Sequence, residues 1–331
     1  MKIYIYPTYT PTRDKSGNLY IKYFHESFEK DSRFKVLNRC WKIGIASMLF
    51  NIDAESFIIQ WVDLIPMKKM GKIQFLFFLI IVSLAKMLRK RIIWVLHNKQ
   101  SHTKKSQLVD YGMRFMARKA DDVIVHSTEG IAFFNKMYPK EVGKCRYIPH
   151  PVYSTHIFDS SVERYDYIIW GSISRYKNVL SFVKYYNQTP FFANKTLLLC
   201  GRCLDDDYNN QIKLETCKNS NIDYRNEFLT DEELQELICQ SRTILFTYNS
   251  ESILSSGALI YSLNFCKPII GPRVGNFVDM EGVVSCYDCF EDIPNIEIKF
   301  NPQWVKDYIE KNTWSLFPKN FMLTKNEKMG Y

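Results

Sequence analysis

A short segment that follows a predicted strand has the residue types needed to bind an anion. Residues 244–248 (Ile-Leu-Phe-Thr-Tyr) are apolar, β-branched or aromatic, which is typical of a buried parallel strand. Ser255, Ser256 and Gly257 then open a predicted helix, where serine is a good N-cap and glycine lets a ligand approach the backbone closely. The free N–H groups at a helix start attract anions. We therefore predict an anion-binding site at this junction.

A histidine with the chemistry of a general base follows a second predicted strand. Residues 92–96 (Ile-Ile-Trp-Val-Leu) form an apolar run, and His97 comes directly after it. Ligands gather at the carboxyl ends of strands in open parallel sheets. Because the unperturbed pKa of histidine lies near neutrality, His97 could polarise or deprotonate a substrate hydroxyl. A helix-capping or structural histidine is the alternative.

These segments belong to a chain that alternates between predicted strands and helices. It opens with a strand at residues 2–7, a polar loop that contains a glycine, and a helix from Leu19, which is how a nucleotide-binding α/β domain begins. The GxGxxG pattern is absent, so dinucleotide redox chemistry has little support. At 331 residues the chain is long enough for two domains.

Two prolines stiffen the chain where the first domain is predicted to end, Pro149 and Pro151. We predict a first domain over residues 1–155 and a second over residues 156–300. A helical tail is predicted over residues 301–331.

Basic residues are concentrated in the first half of the chain. Residues 1–150 hold 26 Lys and Arg against 12 Asp and Glu, whereas the remainder holds 18 against 23. A basic half beside a mildly acidic half suggests a domain that faces anionic lipid or a polyanionic acceptor. A solvated basic surface that binds nothing is the alternative. A nucleic-acid interface is disfavoured because no nucleic-acid motif accompanies the charge.

The most apolar segment of the chain covers residues 73–85. It is shorter than the roughly 20 residues that a membrane-spanning helix needs. Basic residues flank it on both sides: Lys68, Lys69, Lys72, Lys86, Arg89, Lys90 and Arg91. A helix buried against the sheet explains the apolarity, and an interfacial helix whose basic ends meet lipid headgroups also does. Both interpretations stay open, and they are compatible.

Nine cysteines are scattered along the chain, which favours free thiols in a reducing cytosol over a disulfide framework. Two CxxC pairs, Cys200 with Cys203 and Cys286 with Cys289, have spacings that occur in four-thiolate zinc sites. Cys200, however, ends an apolar strand-like run at residues 197–199. We therefore predict no metal site.

Two motifs resemble the donor-binding segments of GT-B glycosyltransferases, especially the group 1 or RfaG-type enzymes of surface polysaccharide synthesis. In the first, a strand ends in Gly171, and the pair Lys177-Asn178 follows six residues on. In the second, residues 244–270 run from a strand through a Ser/Gly-rich loop and a helix to a Lys-Pro-Ile-Ile strand. Family members commonly carry a glutamate seven residues before that proline, where this chain has Tyr261. The resemblance implies an α/β fold, with two Rossmann-like domains facing a central cleft and C-terminal helices crossing back to the first domain.

The resemblance also implies roles for individual residues. Lys177 and Arg175 would hold the donor diphosphate, because fixed cations stabilise the charge that develops on a leaving phosphate, and His97 would act on the acceptor. The other implied donor contacts are Gly171, Asn178, Gly201, Phe228, Leu229, Tyr248, Glu251, Ser255, Ser256 and Gly257. The implied acceptor contacts are Asp14, Gly17, Asn18 and His25, for which turn chemistry and helix capping are the alternative. No metal or other cofactor is expected, since the cations and the helix start neutralise the leaving group.

The function implied by the resemblance is transfer of a sugar from a nucleotide-sugar donor to a lipid-linked saccharide acceptor in capsular, exo- or lipopolysaccharide synthesis. The basic first domain then implies a cytoplasmic protein that lies peripherally on the inner face of the cell membrane, with no nucleic-acid partner. A sugar-nucleotide epimerase or a phosphorylase on the same fold is an alternative. So is a catalytically silent relative that serves as a binding or scaffold protein, and Tyr261 keeps that alternative open.

Overall fold

The chain divides into two compact units. The structure, a computed structural model, describes residues 1–9, 18–99, 106–158, 162–249 and 253–322. The first unit contains Met1–Tyr153, Ser252–Ser255 and Asn312–Tyr331, and the second contains Ser154–Glu251 and Ser256–Lys311. The residues predicted as one tail are therefore divided at Lys311 between the two units.

The first unit is built on a six-stranded parallel sheet with the strand order β2-β1-β3-β4-β5-β6. Its strands are β1 (Lys2–Tyr6), β2 (Lys35–Val36), β3 (Ser56–Gln60), β4 (Arg91–Val95), β5 (Asp122–Val125) and β6 (Cys145–Tyr147). In the register, Ile5 lies opposite Ile58, and Ile58 lies opposite Ile93. These runs form strands because their β-branched and aromatic side chains pack on both faces of a buried sheet.

Helices cover both faces of this sheet: α1 (Leu19–Glu29), α2 (Gly71–Met87), α3 (Gln107–Lys119) and α4 (Thr128–Met137). Short 3-10 segments lie at Trp41–Asn51, Val62–Met67 and Pro139–Glu141. Successive side chains of a strand point to opposite faces, so Tyr4 packs in the cluster that includes α2, α3 and α4, whereas Ile3 and Ile5 pack in the cluster with α1.

Helix α2, which contains the most apolar segment of the sequence, is apolar on two faces. Its inner face, with Phe75, Phe78 and Ile81, is buried in the core. Its opposite face exposes Leu76 and Ile80. In the described part of the chain, no helix combines the length and the apolarity that crossing a bilayer requires. One side of the helix is thus buried in the core, as the first interpretation of this segment requires. The other side is apolar and exposed, as an interfacial helix requires.

The second unit is built on another six-stranded parallel sheet, with the order β12-β11-β10-β7-β8-β9. Its strands are β7 (Tyr165–Trp170), β8 (Leu197–Cys200), β9 (Ile222–Arg225), β10 (Ser241–Leu245), β11 (Ile269–Pro272) and β12 (Val284–Tyr287). Counted within the unit, this is the 3-2-1-4-5-6 order of dinucleotide-binding folds. From β7 to β9 successive strands are added on one side, and from β10 to β12 they are added on the other, so the strand order reverses between β7 and β10. Ligands of such folds bind at the carboxyl ends of the strands at this reversal. In the first sheet the reversal lies between β1 and β3.

The helices of the second unit are α5 (Val179–Gln188), α6 (Asp206–Thr216), α7 (Asp231–Cys239), α8 (Gly257–Ser262) and α9 (Pro302–Lys311). Helix α7 begins with a capping box. The Glu233 N–H donates to the Thr230 hydroxyl at 3.2 Å, and the Thr230 N–H donates to the Glu233 carboxylate at 2.7 Å. Two orphan donors of the helix start are thereby satisfied.

A last short helix, α10 (Phe317–Met322), belongs to the first unit. The rings of Phe317 and Phe321 lie 5.5 Å and 5.4 Å from the ring of Phe24 on α1. Arg146 on β6 donates to the carbonyl of Asn320 at 3.0 Å. Aromatic contacts of this kind bury large apolar surfaces, so α10 closes the face of the first sheet that α1 covers.

Candidate functional site

Lys177 lies at the point in the second sheet where the strand order reverses. It ends the 3-10 turn Arg175–Lys177 that follows β7, and its side chain is buried. Its Nζ lies 5.5 Å from the centre of the Tyr248 ring, just beyond β10. No carboxylate among the described residues forms an ion pair with it. Burial lowers its pKa from 10.5 to about 8, which is the effect expected for a desolvated ammonium group.

A buried, unpaired ammonium group is unfavourable in a folded protein. Structures that keep such a group keep it mainly at functional sites. An anion bound beside Nζ would supply the negative charge that no described carboxylate provides. The geometry of Lys177 therefore suits a phosphate ligand better than a structural role.

Four predicted donor residues line one cavity beside Lys177. Gly171, Gly201, Phe228 and Leu229 all border a cavity of about 180 Å³, together with six further residues: Ser172, Cys200, Arg202, Leu204, Glu227 and Leu234. A Cβ atom on Gly171 would lie 3.1 Å from Lys177 Nζ. Phe228 is 80% exposed, so its ring is free to stack on a planar ligand. The cavity lies at the carboxyl ends of β7 and β8, where the topology predicts a ligand.

The glycine at the end of β8 is required by the backbone. Gly201 has a φ of +134°, and a Cβ atom there would overlap the carbonyl oxygen of Gly171. We expect Gly201→Ala to destabilise the protein by at least about 1–3 kcal/mol, the cost of such a backbone conformation in a non-glycine residue. Urea denaturation followed by circular dichroism measures the change. Ser172→Ala, at an exposed position on the same cavity, is the control and should stay within about 0.5 kcal/mol of the wild type; equal stability of both variants would contradict the steric argument.

The predicted anion segment begins α8. Ser256 is the N-cap, and its hydroxyl accepts from the Leu259 N–H at 3.2 Å. The Ser256 N–H donates to the buried side chain of Asn276 at 2.9 Å. The Ser256 hydroxyl also lies 3.4 Å from the Tyr248 hydroxyl. Gly257 is the first residue of this six-residue helix. The helix start is thus held by side chains of its own unit, and Ser256 is placed beside the Tyr248 ring that faces Lys177.

Ser255 lies one residue earlier, in the short segment grouped with the first unit. Its hydroxyl is buried and has no hydrogen-bond partner among the described residues. Glu251, the remaining residue predicted in this loop, lies outside the described residues.

Arg175 lies in different surroundings from Lys177. Its guanidinium donates to Asp205 at 2.8 Å and to Asp207 at 2.7 Å, and it packs over the Tyr208 ring. Both carboxylates come from the acidic turn that opens α6. The guanidinium is largely exposed and already carries two anionic partners, so a phosphate would have to displace them.

Asn178 lies on another cavity, of about 370 Å³, at the carboxyl ends of β10, β11 and β12. Its φ of 55° places it in the left-handed region between the 3-10 turn and α5. Asparagine tolerates this conformation better than most residues. The left-handed backbone at this turn is therefore enough to explain an asparagine here. Tyr248 lines the same cavity.

Tyr261, where the resemblance implies a glutamate, lies on α8 among aromatic side chains. Its ring lies 5.4 Å from Trp170 and 5.6 Å from Phe265, and its hydroxyl accepts from the Gln235 amide at 3.2 Å. A tyrosine hydroxyl is both donor and acceptor but cannot supply the two acceptor oxygens of a carboxylate. A diol that a glutamate would bind must be held differently here.

In the first unit, His97 lies beyond β4, which pairs with β3, one of the two strands at the strand-order reversal. Its ring stacks on Trp61 at 4.1 Å with an interplanar angle of 8°, and the edge of Tyr20 meets it at 4.9 Å. Its Nε2 lies 2.9 Å from Gln60 Oε1; with a neutral ring, Nε2–H donates and Nδ1 is left as the proton acceptor. Burial, reinforced by His126 and His150, holds the pKa of His97 well below 6.5.

Two further histidines lie behind Tyr20. The Tyr20 hydroxyl donates to His126 Nε2 at 2.8 Å, and His126 Nδ1–H donates to the Ile148 carbonyl at 2.8 Å. His150 Nδ1 lies 2.8 Å from the Pro151 carbonyl. Burial lowers the pKa of His126 to about 4 and that of His150 to about 3. All of these imidazoles are therefore neutral at pH 7, so neither His126 nor His150 places a positive charge beside His97.

The predicted acceptor residues are only partly described. Asp14 and Gly17 lie outside the described residues. Asn18 caps α1, and its side chain accepts from the Tyr20 N–H at 3.0 Å. His25 is fully buried, with Nε2 2.9 Å from the Pro7 carbonyl. The described contacts of Asn18 and His25 are thus those of a helix cap and of a core residue.

Sequence reasoning missed Gln60, Trp61 and Tyr20. Gln60 is the last residue of β3, and Trp61, with a φ of 47°, follows it. A polar residue that ends an apolar strand was the available signal for Gln60. Nothing local indicates that Tyr20, far away in the sequence, packs against the same imidazole.

The cysteine pairs form no visible metal site. Cys200 and Cys203 are buried, whereas Cys289 is exposed. Across the described ranges, no cluster of three or more His, Cys, Asp or Glu side chains is arranged to hold a metal ion.

Comparisons with known proteins identify the fold. No protein-family model matches the chain, and no curated protein matches it in sequence. Solved structures do match over nearly the whole chain. The lipopolysaccharide outer core galactosyltransferase WaaB, in its apo form, superposes with a TM-score of 0.63 at 13% identity, covering 97% of this chain and 98% of that chain. HepE of Anabaena, in complex with UDP and glucose, gives 0.62 at 12% identity, with the same coverage of 97% and 98%.

A third match is AviGT4, a glycosyltransferase involved in avilamycin A biosynthesis, with a TM-score of 0.57 at 11% identity over 97% of this chain and 95% of that chain. The two parallel six-stranded sheets and these matches define a protein of the GT-B fold. The predicted fold class and the resemblance to GT-B glycosyltransferases are confirmed at the level of the fold.

Proposed function

We propose that this protein is a glycosyltransferase that takes a sugar from a nucleotide-sugar donor. The observation that carries the proposal is Lys177, a buried ammonium group without a carboxylate partner among the described residues, next to the cavity of Gly171 and Gly201. Breaking a sugar–phosphate bond leaves negative charge on the departing diphosphate, and a preorganised cation stabilises that charge as it develops. The GT-B structures that were solved with UDP, with UDP and glucose and with UDP-glucose support a nucleotide-sugar substrate.

The remaining donor contacts follow from this placement. The exposed ring of Phe228 and the backbone at Leu229 would bind the nucleobase, with the diphosphate beside Lys177. Tyr248 and Ser256 would contact the ribose or the sugar, together with the loop residue Glu251. Arg175 would join the phosphate contacts only by leaving Asp205 and Asp207.

We propose that the first domain binds the acceptor and that His97 acts on its hydroxyl. The neutral imidazole, fixed by Gln60 and Trp61, keeps Nδ1 available as a base. The acceptor would be a saccharide on a lipid diphosphate in surface-polysaccharide synthesis, and the protein would lie peripherally on the inner face of the cell membrane. The basic first half of the chain and the likeness to WaaB support this part.

Binding and hydrolysis of nucleotide sugars test the proposal. A panel of nucleotide sugars is incubated with the protein, and mass spectrometry identifies any released nucleotide. We expect one nucleotide family to be released. Phe228→Ala should weaken its binding by about 1–3 kcal/mol through the lost stacking, as measured by calorimetry. Phe191→Ala, an exposed phenylalanine away from this cavity, is the control and should bind as the wild type does. A protein that binds and hydrolyses no nucleotide sugar would contradict the proposal.

A further inference from the structure

The outer face of α2 is an apolar surface that the fold leaves uncovered. We define this face by its exposed side chains: Ile73 at 49%, Leu76 at 58%, Phe77 at 39%, Ile80 at 54% and Met87 at 79%. Spacings of three, four and seven residues place them on one side of the helix. The opposite side, with Phe75, Phe78 and Ile81, is buried in the core. A helix on the surface of a soluble domain normally turns polar residues outward. The exposed apolar side chains of this outer face therefore suggest that another apolar surface covers them.

Further exposed apolar side chains lie at the ends of α2 and on segments that contact this helix. They come from the two ends of α2 and from the two 3-10 segments that contact it, Trp41–Asn51 and Val62–Met67: Ile43, Met67, Met70 and Leu88. The backbone N–H of Ile45 donates to Gln74 on α2 at 3.4 Å, which joins the first of these segments to the helix. Contiguous apolar patches of this kind mark protein or membrane contacts.

Positive charge stands at both ends of the outer face. Lys69 and Lys72 lie at the start of α2, and Arg89 and Lys90 follow its end. The sequence has no acidic residue between Asp63 and Asp110. Neighbouring basic residues do have partners: Lys86 pairs with Asp121 and Arg91 with Asp122. Within the described ranges, the four flanking cations form no ion pair.

This charge arrangement favours a lipid surface over a second copy of the chain. In a symmetric dimer through α2, the same basic ends would meet each other or the same apolar stripe, and like charges in contact are unfavourable. Anionic headgroups would instead meet the cations, while acyl chains meet the apolar side chains. An amphipathic helix with basic flanks lies in the membrane interface in this manner, at a depth of about 5–10 Å.

We propose that the outer face of α2 inserts into the surface of a bilayer that contains anionic lipid, with Lys69, Lys72, Arg89 and Lys90 on the headgroups. The proposal names the surface that would hold the protein at the membrane. It rests on the proposed function in one respect: the contact would bring the protein to a lipid-linked acceptor. Insertion would hold the first unit with α2 parallel to the membrane plane. The contact itself needs no donor and no catalysis.

Sedimentation with vesicles tests the insertion. The wild-type protein is mixed with vesicles of phosphatidylcholine alone or of phosphatidylcholine with phosphatidylglycerol, without any nucleotide sugar. We expect binding to the anionic vesicles that weakens with salt. Leu76→Asp and Ile80→Asp should each weaken it by about tenfold or more, since a buried leucine-sized side chain is lost from the apolar phase. Each flanking cation replaced by glutamine should weaken it about fivefold.

Leu214→Asp is the matched control, because Leu214 on α6 of the second unit is 70% exposed and undergoes the same chemical change. It should bind vesicles as the wild type does. Equal binding of Leu76→Asp and the wild type would overturn the proposal, and so would binding that depends on the cations alone. A wild-type dimer that Leu76→Asp converts to a monomer, with no vesicle binding, would also overturn it in favour of a second copy.

The transferase proposal fails separately from this one. Hydrolysis of nucleotide sugar in solution should be the same for Leu76→Asp and the wild type. A protein that binds vesicles through α2 but turns over no nucleotide sugar would leave the lipid contact standing and remove the enzymatic function.

Discussion

Replacing Lys177 with methionine is expected to reduce glycosyl transfer by at least about 10²–10³-fold while making the protein more stable. Activity falls because the buried ammonium group next to Gly171 is lost, and Arg175, the other cation proposed for the phosphate, is already engaged by Asp205 and Asp207. Stability rises because the fold holds the ammonium group buried, with a pKa lowered from 10.5 to about 8. A shift of this size corresponds to about 3 kcal/mol at pH 7, and methionine removes that cost. Nucleotide release and urea denaturation measure the two effects.

The pH dependence of Lys177 gives opposite trends for function and stability. The pKa of Lys177 in the folded protein lies below 10.5, so the unfolded chain binds more protons between about pH 8 and pH 10.5. This group therefore makes the free energy of unfolding rise with pH in that window, with no contribution to the slope below it. Donor binding needs the charged form, so kcat/KM for the donor should fall above about pH 8.

The controls separate the charge of Lys177 from its position. Lys184→Met, at an exposed lysine on α5, should change neither activity nor stability by a measurable amount. Lys177→Arg keeps a cation that does not titrate, so any remaining activity should lose its decline above pH 8. Full activity of Lys177→Met would rule out the phosphate role.

Replacing His97 with alanine is expected to lower kcat by about 10²–10⁴-fold, the usual contribution of a positioned acid or base. The KM for the donor should stay the same, because the donor contacts are proposed on the second unit. His156→Ala changes an exposed histidine and should leave both constants unchanged. A fall in donor affinity with unchanged kcat would contradict the role on the acceptor.

The residue that holds His97 supplies a sharper test of the same role. Burial keeps the pKa of His97 well below 6.5, so the wild-type rate should show no loss from its protonation between pH 6.5 and 8. Gln60→Glu would place a carboxylate against Nε2–H, which favours the imidazolium. The acid side of the pH–rate profile should then move upward. Gln60→Met removes the hydrogen bond without adding charge and should lower kcat without that upward shift.

Much of the fold could be predicted because its signals are local. The strands are runs of β-branched and aromatic residues, and such runs form strands wherever both faces of a sheet are covered. The capping box at Thr230 is likewise a property of a few neighbouring residues. The alternation of strands and helices over 331 residues already indicates two α/β sheets.

The candidate site could be predicted only in part. Gly171, Gly201, Phe228 and Leu229 were all predicted from motifs, and they line one cavity. Arg175 was predicted on the same grounds as Lys177, but the acidic turn at Asp205 and Asp207 engages it. Motif spacing places a side chain near a strand end, whereas its charge partners come from other elements.

The sequence by itself determined the alternation of strands and helices and the loops in which a donor site can form, and two of its motifs resembled those of GT-B enzymes. Hydrophobic periodicity and turn chemistry act over a few residues, so the linear pattern is enough. Only the tertiary structure decided that Lys177 is buried without a carboxylate partner among the described residues while Arg175 is neutralised. Packing across distant segments likewise placed Gln60, Trp61 and Tyr20 around His97 and left the outer face of α2 uncovered. Burial and pairing depend on contacts between residues far apart in the chain, and those contacts exist only once the sheets and helices have assembled.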